Sequence, residues 1–97
     1  MYSSTILPLA QSDIRDAALW YNSKQHGLGK RFTTQVRQKI DFIRQFPNAS
    51  NIRYDNVRTT VLNSFPFMIH YTVDDINQRI LVVAVLHTAK NPNSWKR

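Results

Sequence analysis

Histidine and arginine occupy two positions in the second half of the chain where they could act on an anion. His87 follows the uninterrupted apolar run of residues 80–86, and an imidazole at the end of a strand can accept or donate a proton. Arg58 offers a planar fork of donors to a phosphate or a carboxylate. Each residue also has a purely structural interpretation: His87 as a packed, hydrogen-bonded ring, and Arg58 as the ion-pair partner of Asp55 or Asp74.

The last eight residues place an aromatic ring within a basic tail. Lys90, Lys96 and Arg97 flank Trp95. The indole could stack on a nucleic-acid base or fill a pocket in a protein partner. The alternative is a frayed, solvated terminus.

Metal chemistry and serine catalysis are not indicated by the sequence. His26, His70 and His87 share no close spacing with one another or with a pair of carboxylates, and the chain has no cysteine, so no metal site is expected. No serine is surrounded by the glycines of a nucleophile elbow. Gly27 and Gly29 are the two glycines of the chain, too few for a phosphate-binding loop, and we expect no cofactor.

The charge balance points to an acidic partner. The 97 residues carry 13 lysines and arginines against 6 acidic residues, a formal charge of +7, and all the acids are aspartates. A field of this sign raises encounter rates with polyanions and acidic proteins, although it also serves solubility. No segment approaches the ~18 to 20 apolar residues of a membrane span or has the pattern of a signal peptide. We therefore expect a soluble protein, and the absence of cysteine agrees with a reducing cytoplasm.

The first half of the chain predicts a short strand and two helices. A strand is expected over residues 2–7, interrupted by Pro8, and a first helix from a start at Ser12 or Asp13 to about Lys24. The glycine-containing segment 25–29 marks a tight turn. A second helix is expected from Lys30 to residue 46, since four apolar residues recur at helical spacing and Pro47 ends the pattern. These four are Phe32, Val36, Ile40 and Ile43.

The second half changes to strand periodicity. Strands are expected over residues 57–62, 67–73 and 80–87, and residues 48–56 read as a loop. In the middle strand, Phe67, Ile69, Tyr71 and Val73 alternate with residues of the opposite face. The apolar run 80–86 favours a strand covered on both faces. The predicted fold class is therefore α+β, with a two-helix hairpin packed on a small antiparallel sheet, as one domain over residues 1–97.

Five segments along residues 6–95 resemble parts of a known family. ILPLAQSDIRDAALWY looks like the family's opening strand and first helix, GLGKRF like the start of its second helix and FIRQFPN like that helix's end. VRTTVLNSFPFMIHYTV and ILVVAVLHTAKNPNSW look like its three core strands and tail. In order and spacing, the chain resembles the RelE/ParE superfamily of toxins from bacterial type II toxin-antitoxin modules.

The resemblance implies a growth-inhibiting toxin that a cognate antitoxin keeps silent by wrapping a segment around it. The expected topology is one strand, two helices and three strands. An acidic, partly disordered antitoxin would complement the +7 charge of this chain and fold against it. Within the superfamily, RelE-like members cut messenger RNA on the ribosome, whereas ParE-like members inhibit DNA gyrase.

A RelE-like activity would make the protein a metal-independent endoribonuclease. Such cleavage needs a general base, a general acid and cations around the phosphate. By resemblance His87 would be the base and Arg58 and Lys90 the cations, while Trp95 stands about where the family has a tyrosine, and indole is neither acid nor base. A second ribonuclease pattern needs a glutamate and a terminal His-Tyr pair, whereas this chain has no glutamate and has Thr88 after its histidine.

The segment VLHTAKNP resembles the ParE-like ending, so we favour the gyrase inhibitor, which would not be an enzyme. Its target contacts would then be Arg58, His87, Lys90 and Trp95. An inactivated toxin that only binds its antitoxin is a third hypothesis.

The antitoxin is expected in the groove between the helix hairpin and the sheet. Trp20, Tyr21 and Phe32 are candidate apolar edges of that groove. The alternative is that these side chains belong to the core, and this alternative is favoured for Phe32.

Overall fold

Two helices pack against one face of a five-stranded sheet in the computed structural model, which describes residues 1–95. Lys96 and Arg97, predicted as part of the basic tail, lie outside the described residues. The elements are β1 (Ser3–Ile6), α1 (Pro8–Lys24), α2 (Leu28–Gln45), β2 (Ile52–Tyr54), β3 (Val57–Val61), β4 (Phe67–Asp74), β5 (Arg79–His87) and a 3-10 turn (Pro92–Ser94). In the described part of the chain, no helix is long and apolar enough to cross a membrane.

Helix α1 begins one turn earlier than predicted. Pro8 is its first residue, after Leu7 as N-cap, because proline has no N–H to satisfy and its φ angle already suits a helix. The prediction that Ser12 or Asp13 caps the helix is therefore wrong, since both lie inside it. Its end at Lys24 is confirmed.

The sheet has the order β1-β5-β4-β3-β2. The predicted antiparallel pairing of the last three strands is confirmed, and so is the α+β class. Two details differ from the prediction. β1 pairs parallel with β5, which makes the sheet mixed, and the segment predicted as a loop contains β2, which pairs with β3 at the opposite edge.

A bulge in β5 changes which side chains face away from the helices. His70 of β4 is opposite Ala84, whereas the next residue, Tyr71, is opposite Val82. Val83 is therefore an extra residue in the ladder, and Val83 and Ala84 both pack with the cluster on the outer face. The bulge widens the apolar area on that face.

Both faces of the central strands are buried, by different parts of the chain. The helix-side core contains buried residues of both helices and of β4 and β5, and it includes the predicted stripe Phe32, Val36, Ile40 and Ile43. On the outer face, Met68, Ala84, Leu86 and Trp95 form a second, smaller cluster. The tail after β5 therefore returns across the outer face of the sheet.

Asp13 joins α1 to β5 through a hydrogen bond to the backbone. Its Oδ2 accepts from the N–H of Val85 at 3.0 Å, beyond the point where β1 stops pairing with β5. An amide buried at a strand edge must find an acceptor, and the carboxylate supplies it.

We expect Asp13→Ala to lower the free energy of unfolding by about 1–3 kcal/mol, because the Val85 N–H loses this acceptor. Asp13→Asn keeps an oxygen at the same position and should lose less than half as much. Urea unfolding of both variants measures the difference. Equal losses would mean that this hydrogen bond does not hold α1 on the sheet.

Candidate functional site

Arg58 lies on the helix side of the sheet. It is opposite Tyr71 in the ladder between β3 and β4, and Tyr71 belongs to the helix-side core. The Arg58 guanidinium donates from Nη1 to the backbone carbonyl of Ser50. The side chain is thus part-buried and committed to the loop before β2. A guanidinium held on the face that the helices cover is not free to bind a phosphate, so the phosphate-binding hypothesis for Arg58 does not fit this position.

His87 is exposed at the end of β5, and its ring is fixed on two sides. The ring packs edge-on against Phe67, with centroids 5.2 Å apart. Its Nδ1 accepts a hydrogen bond of 3.0 Å from the N–H of Ala89. An accepting Nδ1 carries no proton, so the neutral ring holds its proton on Nε2, and that nitrogen is a donor.

Lys90 follows His87 in a turn, where its N–H donates to the His87 carbonyl at 3.0 Å. His87 and Lys90 are therefore neighbours. Arg58 is not, since His87 is opposite Phe67 and Arg58 is opposite Tyr71. Four residues along β4 correspond to about 14 Å at ~3.4 Å per residue.

Trp95 is buried, with 6% of its surface exposed. Its ring packs edge-on against His70 at a centroid distance of 5.0 Å and lies 5.7 Å from the ring of Tyr54. The guanidinium of Arg53 stands 5.3 Å from the indole centroid. The interpretation of Trp95 as a ring offered to a target does not fit this position, because the ring seals the outer face of the sheet.

The structure brings His87 together with two residues predicted for antitoxin binding. A cleft of about 320 Å³ lies between α1 and the adjoining ends of β4 and β5. We call it the His87 cleft; it is lined by Ala17, Trp20, Tyr21, Pro66, Phe67 and His87.

Trp20 and Tyr21 contribute to this cleft in different ways. Trp20 is 57% exposed, and Lys24 Nζ lies 5.2 Å from its ring centroid. Tyr21 is half-buried against Phe65, at a centroid distance of 4.8 Å. Burial raises the pKa of Tyr21 above its ordinary value. Phe32 is fully buried, which confirms the core interpretation favoured for it.

A larger groove runs on the other side of α1. This interhelical groove, of about 670 Å³, is lined by Ile6, Gln11, Ile14, Arg15, Ala18, Leu19, Asn22, Gly29, Lys30 and Thr33. Its floor is mainly apolar, and Arg15 and Lys30 supply positive charge. Leu19 is the sequence signal for this groove, because it places an apolar side chain outside the core stripe of α1, and a helix that is apolar on more than one side needs a second cover.

The outer face of the sheet holds a further cavity, of about 580 Å³, beside Trp95. Among residues 1–95, its lining contains no lysine or arginine and one carboxylate, that of Asp55. Within the same residues, no three histidine or acidic side chains are grouped so that they could hold a metal ion.

Solved structures with this fold come from toxin-antitoxin systems. One chain of the intact RelBE toxin-antitoxin complex of E. coli superposes with a TM-score of 0.70 at 19% identity, over 94% of this chain and 100% of that one. The chromosomal ParDE system of P. aeruginosa gives 0.65 at 15% identity, over 90% and 96%. The isolated E. coli RelE toxin gives 0.69 at 18% identity, over 96% and 90%. The fold is therefore that of the RelE/ParE toxins.

The sequence profile of one family matches residues 5–92: the ParE toxin of the type II toxin-antitoxin system parDE. The chain belongs to this family, and it is a toxin of the RelE/ParE superfamily. A search of curated proteins by sequence found no match.

Proposed function

We propose that this toxin stops growth by inhibiting DNA gyrase, and that an acidic cognate antitoxin neutralises it. The observation that carries the choice of target is the hydrogen bond from the Ala89 N–H to His87 Nδ1. This bond makes the remaining ring nitrogen a donor in neutral His87. A donor can hold an acceptor of a protein target, but it cannot remove a proton from an RNA hydroxyl.

The placement of the cations also disfavours a ribonuclease. A phosphorane needs cationic donors converging on the atoms that react. Arg58 is tied to Ser50 on the helix side, about 14 Å from the level of His87 along β4. The outer cavity does not supply such cations either, because its lining among residues 1–95 contains no lysine or arginine and has an apolar wall that includes Val83 and Ala84.

The family match also supports the ParE-like target. The family match runs from residue 5 to residue 92, and it includes the segment VLHTAKNP, on which the ParE-like resemblance was based. ParE-like members are understood to inhibit DNA gyrase, and a target of this kind requires a cytoplasmic location.

The interhelical groove supports an acidic antitoxin as the partner. An amphipathic helix can bury its apolar side on Ile14, Ala18 and Leu19 while its carboxylates approach Arg15 and Lys30. The net charge of +7 favours the same partner at long range. The similar structures from E. coli and P. aeruginosa are described as toxin-antitoxin systems.

The target is tested by adding the purified chain to two assays, supercoiling by DNA gyrase and cleavage of ribosome-bound message. We expect loss of supercoiling with intact message. Ile76→Ala is the control that should inhibit as the wild type does, since Ile76 is 94% exposed in the turn between β4 and β5. Cleaved message with normal supercoiling would replace this proposal by the ribonuclease. No effect in either assay, with normal growth on expression, would indicate an inactive binding module.

A further inference from the structure

The His87 cleft is an apolar pocket with a polar end. Ala17, Pro66 and Phe67 form apolar walls, and the half-buried ring of Tyr21 closes one side. Its volume of about 320 Å³ leaves room for one large apolar side chain. His87 provides a hydrogen-bond donor at the rim, because its Nδ1 is engaged by Ala89. The chemistry therefore suits an apolar side chain with an acceptor beside it.

One ridge of α1 separates the cleft from the interhelical groove. Leu19 lines the groove and Trp20 lines the cleft, and both consecutive side chains are more than half exposed. A segment that fills the groove and crosses Leu19 and Trp20 would reach the cleft directly. Exposed apolar residues that connect two concave sites indicate one binding surface for one partner.

The charges around the cleft favour an acidic segment. Lys24 stands over the Trp20 ring, and Lys90 lies in the turn that closes on His87. Asp16, one helical turn before Trp20, is exposed. It would repel a carboxylate of the partner on its own side of the cleft. A carboxylate of the partner is therefore expected on the side of Lys24 and His87.

We infer that the antitoxin seats an apolar or aromatic side chain in the His87 cleft, with a neighbouring carboxylate or carbonyl on His87 Nε2. In the complex the antitoxin therefore covers His87. The inference rests on the antitoxin part of the proposed function and not on the choice of gyrase as target.

The three histidines of the chain allow a footprinting test. Hydroxyl radicals oxidise accessible imidazoles, and peptide mass mapping reports each one. In the free protein we expect His26 and His87 to react and the fully buried His70 to be protected. The partner in the test is the polypeptide encoded beside this chain's gene, present at about 100 times its Kd so that nearly all of the toxin is bound.

We expect modification of His87 to slow at least about tenfold in the complex, in keeping with that occupancy. A complex in which His87 reacts as fast as in the free protein would overturn the inference and leave the antitoxin proposal intact. Failure of the two chains to form a complex would overturn both.

A matched pair of variants locates the anchor. Trp20→Ala should weaken the complex at least about tenfold, as for a tryptophan at the centre of an interface. Phe46→Ala should change the Kd less than about twofold, because Phe46 is exposed at the far end of α2. Equal Kd values for Trp20→Ala and wild type, both shown to be folded by circular dichroism, would contradict an anchor in the cleft.

Discussion

Phe32→Ala is expected to lower the free energy of unfolding by about 3–5 kcal/mol, the usual cost of removing a buried aromatic side chain. Phe32 is fully buried, and its ring lies 5.1 to 5.5 Å from the rings of Tyr21, Phe65 and Phe67. A domain of this size has a stability of about 5–15 kcal/mol. The variant should therefore lose between about a fifth and all of that stability, and urea titration and a thermal melt measure the loss.

Trp20→Ala is the control for that experiment. Trp20 is consecutive with Tyr21 and was predicted, like Phe32, as an edge of the antitoxin site, but more than half of its surface is exposed. We expect a loss below about 1 kcal/mol, since exposed side chains contribute little to stability. The two variants thus separate a core aromatic residue from one that is proposed to bind the antitoxin. A wild-type urea midpoint for Phe32→Ala would show that Phe32 does not fill the core.

The elements that could be predicted are those with a local signal. The stripe from Phe32 to Ile43 and the alternation from Phe67 to Val73 both follow from side-chain periodicity, which depends only on neighbouring residues. The structure confirms both as buried faces of α2 and β4. The end of α2 at Gln45 also has a local signal, because Pro47 disfavours a helical conformation of the residue before it.

The features that could not be predicted depend on distant partners. β2 has three residues in a polar segment, and it is a strand because β3 offers an edge to pair with. Trp95 lies in a basic tail, and it is buried because His70 and Tyr54 present rings on the outer face. Asp13 resembles a helix cap in the sequence, and its actual partner is the backbone of Val85, 72 residues further along the chain.

The candidate site also combines features that have a local sequence signal with features that depend on distant residues. That His87 closes the last strand could be read from the sequence, because an apolar run ends there. That its ring is a donor depends on the turn to Ala89, and that it shares a cleft with Trp20 depends on the packing of α1 on β5. The separation of His87 from Arg58 could not be predicted either, since it follows from the register of three strands.

Gly29→Ala is the second substitution expected to have a large effect, with a net loss of about 2 kcal/mol. A Cβ atom at this position would stand 2.4 Å from the carbonyl oxygen of Ala18 and 3.1 Å from Cβ of Asn22. Alanine is worth up to ~1 kcal/mol more than glycine inside a helix. Overpacking costs about 1–3 kcal/mol and occasionally more. The contact here is with a backbone atom, so α1 and α2 would have to move apart and the cost lies at the upper end of that range, above the gain in helix propensity.

Gly27 is the matched comparison, because it needs to be glycine for a different reason. It has φ +87° and open space around a Cβ atom, so Gly27→Ala should lose about 1–2 kcal/mol through backbone strain alone. Asparagine distinguishes the two causes, since it tolerates the left-handed region but is larger than alanine. Gly27→Asn should therefore be more stable than Gly27→Ala, and Gly29→Asn less stable than Gly29→Ala. Urea midpoints in the opposite order at position 29 would mean that the two helices do not approach as closely as the Gly29 contact requires.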